Sequence, residues 1–110
     1  MERLNEYRVM WLVVFFDLPT ETKKERKAAA GFRKNLVKDG FTMFQYSAYV
    51  RHCPSKENAD AHVGRINRLV PSKGEIAILR VTDKQFGEMV IYRGEDDKPK
   101  GEVWIQLSLF

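Results

Sequence analysis

The sequence holds a single cysteine, Cys53. That excludes an intrachain disulfide and a zinc site built on several thiolates. Its only histidines, His52 and His62, stand in no metal-ligand spacing. There is no Walker loop, no dinucleotide fingerprint and no zinc-finger pattern. Ser47 has no triad context in the sequence. No repeat at solenoid spacing is present. The longest apolar run, Val9 to Phe16, is far too short to span a bilayer. Glu2, Arg3, Asn5 and Glu6 interrupt the start where a signal peptide would need an apolar core. A cytoplasmic protein with no membrane partner is therefore expected.

What remains is a chain of 110 residues, enough for one domain with a modest core. An apolar content of 44% and a charged content of 31% suit a soluble globular fold. Nineteen basic residues against 15 acidic ones give a net charge of +4 and a pI near 9.3. That permits nucleic-acid binding without requiring it.

The stretch Arg8 to Thr20 organises the rest. Its β-branched and aromatic residues read as a strand from Arg8 to Phe16, followed by Asp17 and a turn at Leu18-Pro19-Thr20. Thr20 to Asp39 reads as a helix. Thr22 and Glu25 have capping-box spacing, Ala29, Phe32 and Leu36 form its apolar stripe, and Gly40 is a natural C′ residue. Phe41 to His52 is strand material, long enough that a turn near Gln45 divides it in two. Ser55 caps a second helix carrying Ala59, Val63, Ile66 and Val70, with Pro71 as its stop. His62 is expected at the polar border of that stripe. Arg65 and Arg68 are expected to face away from it. Glu75 to Thr82 is another strand, Asp83 to Glu88 a single helical turn, and Met89 to Tyr92 a short further strand.

This order is β-α-β-β-α-β with an extra C-terminal strand, an α+β, ferredoxin-like sandwich in which both helices cover one face of an antiparallel sheet. The ferredoxin-like domain spans residues 1–94, and residues 95–110 form a linker and tail. The first strand is apolar at odd and even positions alike, so two helices leave an apolar face uncovered. A second copy related by a two-fold axis is the expected cover. The segment after Asp83 and the tail are candidates to pair with the neighbour's sheet edge.

Asp17 is the foremost candidate for chemistry. It is either a metal ligand exposed at a strand end or an acid capping the following helix. Two copies in a dimer would bring two such carboxylates towards one cleft. Lys23, Lys24, Arg26, Lys27 and Arg33 are candidates for nucleic-acid binding. Basic residues early in a helix oppose its macrodipole, and a phosphate partner would rationalise them. The alternative is a solvated face helped by Glu21 and Glu25. Phe41, Phe44, Tyr46 and Tyr49 suggest base stacking on a sheet, but the signature run of single-strand RNA binders is absent, so core and dimer contacts are the simpler assignment. The tail ends Gln106-Leu-Ser-Leu-Phe110, which resembles a sliding-clamp docking peptide. Leu107, Leu109 and Phe110 would then be partner contacts. The alternative is a strand that adds to a sheet edge.

The run Val13-Val-Phe-Phe-Asp-Leu-Pro-Thr20 with Glu25-Arg-Lys27 resembles the small CRISPR-associated protein that is the second of the spacer-acquisition module. Phe32-Arg-Lys, Gly40-Phe-Thr-Met-Phe-Gln-Tyr-Ser-Ala-Tyr49, Gly64-Arg-Ile66, Lys73-Gly74 and Thr82-Asp-Lys-Gln-Phe86 extend the likeness from about Tyr7 to Gly94. The wording is nearest the type II branch. The resemblance implies a ferredoxin-like homodimer that bridges two dimers of the CRISPR integrase on duplex DNA. It also implies a metal-dependent endonuclease, an endoribonuclease by family attribution, with one Mg2+ or other divalent ion held at the dimer interface by Asp17. Lys24 and Arg26 match the family's basic residues in kind. The family often places tyrosine before the aspartate, where this chain has Phe16. The alternative reading is a stand-alone ferredoxin-like RNA-binding module or ribonuclease toxin.

Overall fold

A computed structural model describes residues 10–94. Seven elements follow in order: β1 (Met10–Asp17), α1 (Lys23–Lys38), β2 (Thr42–Gln45), β3 (Ala48–Cys53), α2 (Lys56–Leu69), β4 (Glu75–Thr82) and α3 (Asp83–Gly87). The sheet order is β2-β3-β1-β4 and every neighbouring pair is antiparallel. This is the expected α+β, ferredoxin-like arrangement, with the most apolar strand at its centre.

The helix ends are set by the residues that sequence reading singles out. The Thr22 hydroxyl accepts from the Glu25 backbone N–H at 3.0 Å, and the Glu25 carboxylate accepts from the Thr22 N–H at 3.0 Å. That reciprocal pair closes the capping box of α1. Gly40 follows α1 with φ of 92°, a left-handed geometry that suits glycine. The Ser55 hydroxyl accepts from the Asn58 N–H and starts α2.

Alternation along β1 sorts its side chains onto two faces. Leu12, Val14 and Phe16 lie beneath the helices in one cluster with Phe32, Leu36, Ala59 and Ile66. Burying each large side chain there contributes about 1.5–3 kcal/mol. Arg80 of β4 pairs with Asp60 of α2 at 2.6 Å and ties that helix to the sheet edge.

Trp11 and Val13 point the other way. They are buried by Val50, Val81 and Phe86, with Phe86 stacked on the Trp11 indole at a centroid distance of 4.4 Å. The turn expected at Asp83 to Glu88 is thus a short helix that folds under the sheet and covers half of the second face. Trp11 Nε1 donates to Asp83 Oδ1 at 2.7 Å and fixes that return. The apolar surface left open is smaller than the sequence suggests. It centres on Phe15 and Leu79.

Two expectations need correction. Met89 to Tyr92 is not a strand, because no described residue supplies a ladder for it. Val90 is 71% and Tyr92 90% exposed. His62 is not a polar border residue. It is only 3% exposed, because the Asp39 carboxylate at the end of α1 satisfies its ring.

Among the described residues no helix is long and apolar enough to cross a membrane.

Candidate functional site

Asp17 is the last residue of β1 and is exposed. As an odd-numbered position it shares a face with Trp11, Val13 and Phe15. It therefore stands at the end of the sheet that α3 leaves uncovered. It borders an open depression shared with Phe15, Gln45, Ser47, Glu75 and Ala77.

The backbone leading to the acid is held from both sides. Phe16 N–H donates to the Ser47 carbonyl at 3.1 Å. On the other side the ladder ends with Asp17 opposite Glu75. Gly74 precedes that pair with φ of 101°. A Cβ there would lie 2.7 Å from Leu18 Cδ2 and 2.8 Å from the Asp17 carbonyl oxygen. Only glycine lets the turn into β4 pass this close to the Asp17-Leu18 backbone.

Glu75 is the residue sequence reading missed. Like charges directly opposite in an antiparallel pair destabilise each other, and a cation between them would relieve that. No spacing links positions 17 and 75; only the register does. Among the described residues no group of three or more His, Cys, Asp or Glu side chains could hold a metal. Two carboxylates still fit Mg2+, which takes one or two of them and fills its shell with water and phosphate oxygens. They do not make a closed cage for a tightly held ion.

The five basic candidates of α1 separate. Lys23 and Lys27 are exposed, with no ion pair among the described residues. With Lys34 and Lys38 they fall within about 60° of helix arc and extend about 22 Å along the axis. Lys24 lines an apolar groove with Leu18, Pro19, Ala28 and Pro71. Arg26 folds back, and its Nη1 donates to the Thr20 and Glu21 carbonyls at 3.1 and 3.0 Å. Arg33 leans over the β2–β3 turn, its guanidinium 3.9 Å from the Tyr46 ring centroid.

The remaining titratable groups serve the fold. Asp39 accepts from His62 Nδ1 at 2.7 Å and from Arg65 Nη1 at 2.8 Å. Burial pushes its pKa up, but the hydrogen bonds and charges of His62 and Arg65 outweigh this and hold the carboxyl below its usual range. Burial leaves the His62 ring no access to substrate. Burial raises the Cys53 thiol pKa, so a reactive thiolate is disfavoured. His52 is exposed and edges against Trp11 at 4.8 Å. Leu107, Leu109 and Phe110 lie outside the described residues.

Comparison with known proteins gives a consistent result. Residues 10–89 match the family model described as CRISPR associated protein Cas2. A protein of Flavobacterium psychrophilum named CRISPR-associated endoribonuclease Cas2 is 54% identical over 112 aligned residues, covering 98% of this chain and 94% of its own length. One of the same name from Parvibaculum lavamentivorans is 52% identical over 101 residues, covering 92% of this chain and all of its own. A crystal structure titled as that of cas2 superposes with a TM-score of 0.56 over 83% of this chain and 95% of its own, at 20% identity. At that identity it speaks to the fold alone.

Proposed function

The chain belongs to the CRISPR-associated protein Cas2 family, and on that premise we propose that it acts in CRISPR adaptation as a homodimer that bridges integrase dimers on duplex DNA. We also propose that the dimer carries a metal-dependent endonuclease centre at Asp17, with RNA as the substrate its relatives' names indicate. The observation that carries this reading is the place of Asp17: exposed, at the open end of the half-covered sheet face. A two-fold partner seated on Phe15 and Leu79 would bring two copies of that carboxylate to one interface.

Within the centre, Asp17 and Glu75 would hold the ion. Bound Mg2+ would acidify a water and offset charge on the scissile phosphate. The chain's own part is to position both carboxylates through the β1–β4 register and Gly74. The lysine row of α1 would neutralise backbone phosphates without reading bases, as a bridge indifferent to spacer sequence requires. Arg26 acts indirectly by tying down the loop between Asp17 and α1.

Reconstitution with the cognate integrase tests both parts. Asp17→Ala should abolish metal-dependent cleavage and leave integration intact. Loss of integration in that variant, with its dimer preserved, would count against the bridge. Charge reversal at Lys23 and Lys27 should flatten the salt dependence of duplex binding by a slope of about 0.9 per lost phosphate contact. An unchanged slope would remove this helix from the DNA surface.

A further inference from the structure

We infer that Tyr46, backed by Arg33, is a stacking platform for one unpaired nucleobase, on the α1 side of the sheet end whose other side carries the Asp17 depression. This rests on the nucleic-acid reading above and specifies which substrate the site takes. Of the aromatic residues around the β2–β3 hairpin, Phe41 and Tyr49 are buried in the core, and Phe44 packs against the Trp11 cluster. Tyr46 alone among them is 70% exposed.

Its ring is nevertheless held. The Arg33 guanidinium lies 3.9 Å from its centroid, and Arg33 Nε donates to the Tyr46 carbonyl at 3.3 Å. The same guanidinium stands 5.2 Å from the Phe16 ring, which meets Phe32 edge-on in the core. A chain of contacts thus runs from Phe32 through Phe16 and Arg33 out to Tyr46. A ring with a cation behind one face and water before the other suits a flat π-surface beside a phosphate.

Location selects the ligand. Gln45 and Ser47, on either side of Tyr46 in sequence, line the Asp17 depression, while the Tyr46 ring itself lies on the α1 side against Arg33. A strand that stacks a base on Tyr46 would be held at the β2–β3 turn, whose Gln45 and Ser47 border that depression. Bases inside a duplex already have both faces occupied, so the platform fits a single strand, a loop or an unpaired end. Any sequence preference should be weak, because every base has a π-face.

The test uses the full chain, a short single-stranded RNA with 2-aminopurine moved along it position by position, and a blunt DNA duplex. Wild type should quench the fluorophore strongly at one position. Tyr46→Ala should abolish that quench and weaken single-strand binding about 10-fold, within the range for one lost stack, with duplex affinity unchanged. Tyr46→Phe should match wild type, because the ring is the working part. Arg33→Gln should fall between the two. Replacing the quenched nucleotide by an abasic site should make wild type and Tyr46→Ala bind alike. Undiminished single-strand binding by Tyr46→Ala would overturn the platform. So would an equal loss on both ligands, or a Tyr46→Phe variant as weak as Tyr46→Ala. If wild type cleaves RNA and binds duplex while Tyr46→Ala behaves identically, the platform alone falls. If wild type binds neither ligand, the nucleic-acid reading falls with it.

Discussion

The two faces of the sheet are finished to different degrees. On one, α1 and α2 lay a continuous cover over Leu12, Val14 and Phe16. On the other, a five-residue helix sets Phe86 over Trp11 and stops, leaving Phe15 44% exposed and Asp17 beyond it. Stability is concentrated under the long helices. Asp17 and Glu75, both exposed, stand at the sheet end where cover is thin.

Four substitutions should break or sharpen that contrast. Phe32→Ala opens a cavity beneath α1 and should cost about 3–5 kcal/mol by denaturant unfolding. A cost under 1 kcal/mol would mean the helix side is not the stronger one. Phe86→Ala removes the short helix's only buried side chain and should cost about 2–3 kcal/mol, less than Phe32→Ala because so short a cover can settle into the gap. Trp11 fluorescence should shift to the red as water reaches the indole. No shift would show that another group protects it.

Asp39→Asn weakens the tie between α1 and α2 and should cost about 1–3 kcal/mol at neutral pH. The Asp39 pKa is lower folded than unfolded, so its contribution is complete above the unfolded value of about 3.8 and fades as pH drops through the folded one. The gap between wild type and Asp39→Asn should therefore close below about pH 4. A gap constant with pH would show that the carboxylate's charge is not what counts. Leu79→Asp on the open face should change chain stability by no more than about 0.5 kcal/mol. Yet it should halve the solution mass if two copies meet there. A wild-type mass of one copy would show that the open face has no twin.

Much of the helix side was legible in the sequence because its rules are local. The Thr22-Glu25 box, the Ala29-Phe32-Leu36 stripe, the Ser55 cap and Gly40 each act over a few residues. The break near Gln45 is the β2–β3 turn at Tyr46-Ser47. Asp17 announced itself as a lone acid ending an apolar strand. What stayed hidden depends on contacts distant in sequence. Glu75 joins Asp17 only through the β1–β4 register. His62 becomes a core residue only because Asp39 meets it across the helix pair. Phe86 could be placed beneath the sheet only once Trp11 was seen to need a lid. Arg33 looked like one more basic residue of α1, and nothing in its spacing pointed to the Tyr46 ring.

Gly74 carries an implication for how such a site can drift or be tuned. The aim of two acidic groups rests on a position where one extra carbon has nowhere to go. An alanine there alters no charge, yet it must lever the neighbouring ribbons apart beside the Asp17–Glu75 pair. If that pair serves the proposed cleavage, the activity can be lost with every acid still in place.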